Sequence, residues 1–304
     1  MDVIIIGGGT AGLTAAIYLQ RNALQSVVLE AEAYGGRIYT TPSVDNYPAM
    51  PGVSGFDFGE KLRAQAEALG AELINESASE LVRTGNLWQV KTHDSSFTAQ
   101  AVIYAAGEKH RKLGVPGESE LFGRGVSICA ACDGAFFRNK DVAVIGGGDK
   151  ALDEALALSI MCNSVRLIHR RDEFRAAGST VARVKETPNI IMHLNCIVDG
   201  IGGTSRVENI MLRCAEGGES ETFAVSGVFV AIGSVPQTAI CADFVRLDEQ
   251  GYIIAGEDCM TSAPGLFVAG DVRHKPFRQL VTAAADGAVA AKAATDYITH
   301  KNKD

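Results

Sequence analysis

The sequence carries one pattern twice, 139 positions apart, with no gap between the copies. Residues 2–30 and 141–169 each run from an apolar segment through a glycine-rich turn and a stripe of helical period to a second apolar segment. Such apolar segments are typical of strands buried on both faces of a parallel sheet. Strand, turn, helix and strand within about 30 residues form the context in which a glycine-rich turn binds a dinucleotide. The repeat therefore predicts an α/β protein with two Rossmann-like dinucleotide-binding domains.

Small residues occupy the same three positions of each turn. The first allows a tight turn, the second lets the backbone approach a pyrophosphate, and the third lets the helix pack closely on the strand. Backbone N–H groups at the positive end of the helix then hold the pyrophosphate. A glycine-rich turn without a ligand is the alternative, and the repeat argues against it more strongly for the first copy than for the second. The three positions are Gly7, Gly9 and Gly12 in the first copy and Gly146, Gly148 and Ala151 in the second.

The residue that follows the second strand differs between the copies. In the first copy it is Glu30, whose carboxylate can hold both ribose hydroxyls and repels a 2′-phosphate. In the second copy it is His169. The cations that follow are Arg170, Arg171 and Arg175. Because guanidinium groups bind phosphate through paired hydrogen bonds, the first copy is predicted to bind FAD and the second NADPH rather than NADH. The alternative for the arginines is a solvated basic turn.

Segments of alternating hydropathy follow each repeat, at 81–90 and 207–212, and predict a small antiparallel layer in each half. A buried strand at 265–269 ends in Gly270 and Asp271, and a long helical stripe follows it. This C-terminal block would complete the first domain and bring Asp271 to a cofactor. Each domain is therefore predicted to be a three-layer ββα structure, with the NADPH domain inserted into a discontinuous FAD domain. The predicted bounds are 1–112 and 242–304 for the FAD domain and 113–241 for the NADPH domain.

Two cysteines, Cys129 and Cys132, stand just before the second repeat with two residues between them. This spacing holds two sulfurs near disulfide distance and lets the local turn lower one thiol pKa, which favours redox chemistry. Asp133 comes next and could shuttle a proton. A structural zinc site would need a second cysteine or histidine pair at short spacing. The remaining cysteines each stand alone and are expected to be small buried apolar residues: Cys162, Cys196, Cys214, Cys241 and Cys259.

The formal net charge is −8 at pH 7, which argues against a nucleic-acid partner or an anionic membrane surface because both require a basic face. No run of about 18 apolar residues and no secretory signal is evident, so neither a membrane span nor export is expected. The cysteine usage is typical of a cytoplasmic protein rather than of a disulfide framework.

Over essentially its full length, the chain resembles the low-molecular-weight thioredoxin reductases. The resemblance implies an enzyme that passes electrons from NADPH through FAD to the Cys129–Cys132 disulfide and then to oxidised thioredoxin or a similar disulfide. It also implies a homodimer, in which the inserted domain rotates to present the nicotinamide and the disulfide to the flavin in turn. The motifs that carry it are GGGTAGLTAAIY near the start, LGVPGE at 113–118, CAACDGAFFRNKDVAVIGGGD at 129–149, HRRDEFRA at 169–176 and GLFVAGDVRHKPFRQLVTAAADGAVAA at 265–291.

The resemblance also implies individual roles. Cys132 is the sulfur nearer the flavin, Cys129 attacks the protein substrate, and Asp133 is the acid/base. The positions expected to bind FAD are Gly7, Gly9, Thr10, Ala11, Gly12, Glu30, Gly36, Asn46, Gly107, Gly270, Asp271, Arg278 and Gln279. The positions expected to bind NADPH are Gly146, Gly148, Asp149, Lys150, Ala151, His169, Arg170, Arg171 and Arg175. No metal ligand is expected.

Two departures from the family pattern bear on the cofactors. Arg37 stands where the family usually has glutamine, and Lys150 stands where it has a small hydroxyl residue. Some relatives take electrons from ferredoxin, and a dithiol oxidase is a second alternative on the same frame. A flavin- and nucleotide-binding redox sensor without turnover is a third. The arginine motif favours NADPH over the first two.

Overall fold

The computed structural model describes residues 1–41, 43–214 and 218–301. The chain divides into two compact units. The first, discontinuous unit consists of Met1–Lys109 and the segment from Val235 onward, and the second, inserted unit is His110–Ser234. The domain bounds given above remain predictions of where each cofactor region begins and ends, and positions 302–304 of the FAD domain lie outside the described residues.

The discontinuous unit is built on a parallel sheet of five strands in the order β18-β7-β1-β2-β3. A second, antiparallel sheet of three strands, β4-β5-β6, packs on one face, and α1 and α6 pack on the other. The strands are β1 (Val3–Ile6), β2 (Ser26–Leu29), β3 (Glu72–Ile74), β4 (Glu80–Thr84), β5 (Leu87–Lys91), β6 (Ser96–Ala99), β7 (Ala101–Tyr104), β8 (Glu108–His110) at its end, and β18 (Leu266–Val268). The helices are α1 (Thr10–Arg21), α2 (Gly55–Ala68) and α6 (Leu280–Lys301), with 3-10 turns at Gly36–Thr40 and Gly270–Val272.

The inserted unit repeats this plan around a parallel sheet in the order β12-β11-β10-β16-β9. Its strands are β9 (Val126–Ser127), β10 (Asp141–Ile145), β11 (Ser164–His169), β12 (Ile190–Leu194), β13 (Ile197–Gly202), β14 (Asn209–Arg213), β15 (Glu221–Ala224) and β16 (Gly227–Val230), with β17 (Ser234–Pro236) leading out. Its helices are α3 (Ala130–Asp133), α4 (Asp149–Ser159) and α5 (Gly178–Glu186), with a 3-10 turn at Gly134–Phe137. Strands β13, β14 and β15 form the antiparallel layer.

Alternation along the first strand of each repeat explains the three layers. In β1, Val3 and Ile5 pack into the helical core, whereas Ile4 and Ile6 belong to the cluster that holds Trp88 of the antiparallel sheet. All four are at most 5% exposed. A strand with every side chain buried must be covered on both faces, which is why its sequence is continuously apolar. The predicted fold class, two Rossmann-like units of layered α/β structure, is confirmed.

The apolar stripe predicts a C-terminal helix from about Phe277, and the helix of the structure begins slightly later. The Gln279 carbonyl accepts from the Ala283 N–H, so Gln279 is the N-cap and α6 begins at Leu280. Among the described residues, no helix combines the length and apolar composition needed to cross a lipid bilayer.

The first glycine of each turn has a backbone that side chains rarely adopt. Gly7 has φ +105° and Gly146 has φ +155°. A Cβ on either would lie 2.4 Å from a carbonyl oxygen of the neighbouring strand end, Ala105 or Ala231. Glycine is therefore required at both positions, by conformation and by space.

We expect Gly7→Ala to lower the free energy of unfolding by at least about 3 kcal/mol, because the new Cβ collides with backbone at an unfavourable φ. Urea unfolding followed by the fluorescence of Trp88, which is the only tryptophan and lies in the same unit, measures this loss. Gly52→Ala is the matched control, since Gly52 also has positive φ (+74°) but its Cβ would meet nothing within 4 Å. The control should lose only about 1 kcal/mol. Equal losses would show that the collision is not the cause.

Candidate active site

A disulfide joins Cys129 and Cys132 in the inserted unit, with their Cα atoms 5.3 Å apart. Cys129 follows the short strand β9 and is the N-cap of α3. The turn is tight because the N–H groups of Cys132 and Asp133 both donate to the Cys129 carbonyl. The spacing interpreted as a redox pair is thus realised as a disulfide.

Ser127 fixes the carboxylate that follows this pair. Its Oγ donates to Asp133 Oδ2 over 2.5 Å, and the same Oγ accepts from the Cys129 N–H over 3.2 Å. Asp133 and the backbone of the first cysteine therefore share one hydrogen-bond partner. This arrangement holds the carboxylate beside the disulfide, where it can exchange a proton with a thiol.

The glycine-rich turn of the inserted unit leads directly to the cysteine segment. Gly148 is the N-cap of α4, and a Cβ on it would meet no atom within 4 Å, so space is open above the helix N-terminus. At the second residue of the helix, Lys150 Nζ lies 3.4 Å from the Ile128 carbonyl. A further turn on, the Glu154 carboxylate accepts from the Ala130 N–H. Helix α4 therefore contacts the chain on both sides of Cys129.

Two predicted nucleotide contacts in this helix have partners within the protein. Asp149 Oδ1 accepts from the Ala177 N–H over 2.8 Å. Ala151 is fully buried, and its Cβ would lie 2.7 Å from a Cβ on Gly146, so it fills the role of the small third residue. Both residues shape the turn, and the Ala151 N–H also donates to the Gly148 carbonyl over 3.0 Å.

His169 lies beneath the glycine-rich turn. Its side chain is buried, occupies the space where Gly147 would carry a Cβ, and stacks on Phe174 at 5.5 Å. Burial lowers the pKa of His169, with Arg171 adding to the effect, which favours the neutral imidazole. The Arg175 N–H donates to the Gly147 carbonyl over 2.7 Å, which ties the arginine segment to the turn. The exposed cations of that segment are Arg170, Arg171 and Arg175.

These features share the carboxyl edge of one parallel sheet. The disulfide follows β9, the glycine-rich turn follows β10, and His169 ends β11 with the arginines after it. Open α/β sheets bind ligands at this edge. The structure therefore brings together the sequence-predicted nucleotide residues and the redox pair within one unit.

In the discontinuous unit, Glu30 closes the first glycine-rich turn. Its Oε2 accepts from the Gly8 N–H over 2.6 Å and its Oε1 from the Glu32 N–H over 2.8 Å. The carboxylate is thereby held at the rim of the turn, where a ribose would lie. Among the described residues, the buried Thr10 Oγ1 in the first turn of α1 has no hydrogen-bond partner.

A cluster of charges surrounds Asp271 at the end of β18. Arg37 Nη1 lies 2.8 Å from Glu108 Oε1 and 3.6 Å from Asp271 Oδ2. Tyr252 Oη donates to Glu108 Oε2 over 2.6 Å, and the Arg278 guanidinium stacks on the Tyr252 ring at 3.8 Å. Burial raises the pKa of Asp271, and Arg37 opposes that rise. Asp271 Oδ1 is buried without a partner among the described residues.

The other positions expected to bind FAD occur at the same edge of this unit. Asn46 Nδ2 donates to Gln279 Oε1 over 3.0 Å, which joins two of them. Gly36 and Gly107 both have positive φ, and a Cβ on Gly270 would lie 2.9 Å from Ala11 Cβ. With two buried oxygens lacking protein partners, Thr10 Oγ1 and Asp271 Oδ1, this set of residues fits a bound dinucleotide.

The expectation for the five remaining cysteines is wrong for two of them. Cys196 and Cys214 form a second disulfide, and Cys214 is exposed. They meet because they flank the paired strands β13 and β14, a register that spacing alone does not reveal. Cys162, Cys241 and Cys259 are buried free thiols, as expected. The Arg37–Glu108 ion pair was also missed, since its partners are 71 positions apart.

Residues 1–287 match the family model "Pyridine nucleotide-disulphide oxidoreductase". A thioredoxin reductase of Treponema pallidum is 44% identical over 98% of this chain and 97% of its own length. The chain belongs to this family, within the thioredoxin reductases. It is also 43% identical to a bifunctional thioredoxin reductase/thioredoxin of Mycobacterium leprae, over 95% of this chain and 64% of that one. The thioredoxin reductase structure from Streptococcus pyogenes is similar with a TM-score of 0.94, 38% identity and 98% coverage of both chains. The family predicted from the motifs is confirmed.

The buried Glu154 carboxyl makes the stability of the fold depend on pH. Burial raises its pKa to about 7, with Lys150 opposing, and its Oε2 has no partner among the described residues. A carboxyl whose pKa is higher in the folded chain than in the unfolded chain destabilises the fold once the pH exceeds the unfolded value. The cost therefore grows between about pH 4.5 and pH 7 and stays constant above that.

We expect Glu154→Gln to raise the free energy of unfolding by on the order of 2–3 kcal/mol at pH 8, and by much less at pH 5. Thermal unfolding followed by calorimetry at both pH values measures the difference. Asp153→Asn is the matched control, because Asp153 is the exposed neighbour on the same helix. A gain that is the same at both pH values would contradict the assignment of the raised pKa to Glu154.

Proposed function

We propose that the protein is an NADPH-dependent thioredoxin-disulfide reductase that uses FAD. The observation that carries the proposal is the Cys129–Cys132 disulfide at the same sheet edge as the glycine-rich turn and the arginine segment. Family membership supports the reaction class. The Mycobacterium leprae relative, whose name pairs the reductase with thioredoxin, supports thioredoxin as the disulfide partner.

A bound flavin would supply the two-electron relay between a nicotinamide hydride and the disulfide. The residues of this chain bind, orient and exchange protons around that relay. Glu30 and Asp271 would hold the hydroxyl groups of FAD, and Arg278 and Gln279 would lie against its ring system. In the inserted unit, Gly146, Gly148 and the N-terminus of α4 would hold the pyrophosphate of NADPH.

The cysteines act by thiol–disulfide exchange once reduced. Cys129 thiolate attacks a sulfur of the partner disulfide, and a mixed disulfide forms as the first partner thiolate leaves. Cys132 thiolate then attacks Cys129, which restores the internal disulfide and releases the partner dithiol. Asp133, held by Ser127, takes and returns the proton that the attacking thiol gives up.

The choice of NADPH rests on the exposed cations after β11. Arg170 and Arg171 are exposed, and Arg175 is bonded through its backbone to the turn that would hold the pyrophosphate. A 2′-phosphate extending from the adenosine ribose would meet these guanidinium groups. We further propose a homodimer that acts in the cytoplasm, and light scattering on the purified flavoprotein tests its mass.

We expect Cys132→Ser to leave flavin reduction by NADPH intact and to lower thioredoxin reduction by at least about 1000-fold, because the internal disulfide is gone. Anaerobic titration of the flavin absorbance gives the first quantity, and steady-state NADPH consumption with oxidised thioredoxin gives the second. Cys162→Ala is the control, since Cys162 is a buried free thiol in the same unit. Normal turnover of thioredoxin by Cys132→Ser would refute the scheme. A wild-type flavin that NADPH does not bleach would favour the ferredoxin-linked reductase or the dithiol oxidase.

We expect Arg170→Gln with Arg171→Gln to lower kcat/KM for NADPH by about 100-fold and to change kcat/KM for NADH by less than about threefold, because only NADPH carries the 2′-phosphate. Arg183→Gln is the matched control, since Arg183 is exposed on α5 of the same unit. Equal losses for both nucleotides would show that these arginines do not read the phosphate.

A further inference from the structure

The second disulfide closes the open end of a strand pair. Ile197 of β13 faces Arg213 of β14 at the end of their register, and Cys196 and Cys214 are the next residue on each strand. Cys196 is 3% exposed, whereas Cys214 is exposed. A dissolved thiol can therefore approach the Cys214 sulfur, and the strand pair keeps the two cysteines adjacent when the bond is open.

The disulfide is connected through the backbone to the arginine segment. The Cys196 N–H donates to the His169 carbonyl over 3.1 Å, and the Asn195 N–H donates to the Arg171 carbonyl over 3.1 Å. Asn195 has φ +54°, a left-handed conformation uncommon for residues other than glycine. The cross-link thus fixes a constrained turn whose two N–H groups hold the backbone that carries Arg170 and Arg171.

We propose that Cys196 and Cys214 form a second thiol–disulfide exchange site, and that its oxidation state controls how tightly the segment 169–171 binds the 2′-phosphate of a nicotinamide nucleotide. The nucleotide part rests on the proposed function. The reductant class is a dithiol, such as the reduced thioredoxin that this enzyme would produce.

The exchange balances in two steps. One thiolate of the dithiol attacks Cys214 Sγ, the Cys196–Cys214 bond breaks, and Cys196 leaves as a thiolate that takes a proton from solvent. The resulting Cys196 thiol lies 3.1 Å from the Leu194 carbonyl and can donate to it. The second thiolate of the reductant then attacks its own mixed-disulfide sulfur and releases Cys214. Two electrons leave the dithiol, which becomes a disulfide, and two protons finish on Cys196 and Cys214.

His193 lies close enough to both sulfurs to raise the question of a metal site, since its nearest ring nitrogen and the two Sγ atoms are within 4.8 Å of one another. Its charged neighbour argues against that use. Arg166 Nη1 lies 3.1 Å from His193 Nε2 and stacks on the Phe223 ring, so a fixed cation already takes the imidazole lone pair.

The expected direction of the effect follows from preorganisation. While the disulfide is closed, the turn at Asn195 is held from both β12 and β14, and the carbonyls of His169 and Arg171 keep their donors. Once it opens, β12 and the hydrogen bonds of β13 to β14 still hold that turn, but the covalent link beside it is gone. The ligand must then supply part of the order of the arginine segment, which weakens binding.

The exchange step is tested in flavin-loaded, full-length Cys129→Ser/Cys132→Ser protein, in which Cys196–Cys214 is the only disulfide left. The protein is incubated with reduced thioredoxin or dithiothreitol, its thiols are alkylated, and Cys196 and Cys214 are read by mass spectrometry. Both should become alkylated together while circular dichroism stays unchanged. A bond that opens only on unfolding would overturn the proposal. Stoichiometric Zn²⁺ retained by the reduced protein after dialysis would also overturn it, in favour of a metal site.

The effect of the disulfide on nucleotide binding is tested by calorimetric titration of the Cys129→Ser/Cys132→Ser protein with NADP⁺ and with NAD⁺. Three forms are compared: the closed disulfide, the dithiol-reduced protein, and the protein with Cys214→Ser added. Opening the bond should weaken NADP⁺ binding by about 3- to 10-fold and NAD⁺ binding by less than about twofold. Cys162→Ala is the matched control and should change neither. Equal NADP⁺ affinity in closed and open forms would overturn this inference and leave the proposed function standing. No NADP⁺ binding in either form would overturn both this inference and the proposed use of NADPH as the electron donor.

Discussion

In each unit the backbone of a glycine-rich turn lies directly against a neighbouring strand, with no room between them for a side chain. The contacts of Gly7 with Ala105 and of Gly146 with Ala231 are the same in both copies. Because the turn is so tight, the helix that follows begins at the sheet edge and leaves its first N–H groups facing outward. The pyrophosphate-binding positions of both units lie at those two helix starts.

Most of this architecture could be predicted from the sequence, because its determinants are local. β1 and β10 are continuous apolar runs since both faces of each strand are covered, and the glycine positions follow from φ and space within a few residues. The Cys129–Cys132 pair has the same character, since its turn closes on the Cys129 carbonyl. The repeat places the two glycine-rich turns in the fold, and the side chains around each turn then determine which nucleotide it would bind.

The features that could not be predicted depend on contacts between distant segments. Cys196 meets Cys214 only if β13 and β14 pair in one register, and that register shifts between Val198 and Gly200. A slip of one residue would turn the two sulfurs away from each other. Arg37 and Glu108 pair because the 3-10 turn at Gly36–Thr40 lies beside the start of β8, a contact that no local pattern encodes.

The two disulfides of the inserted unit follow the two outermost strands of one sheet. Cys129 comes after β9 and Cys196 comes after β12, with the glycine-rich turn after β10 between them. The first pair has a carboxylate beside it and would transmit electrons. The second pair has the His193 imidazole near it, which is bonded to Arg166, and its backbone holds the segment that would bind the donor. The Cys196–Cys214 bond constrains the arginine segment and not the redox pair. If the dithiol product of the reductase opens this bond, the enzyme would lower its own affinity for NADPH as the product accumulates.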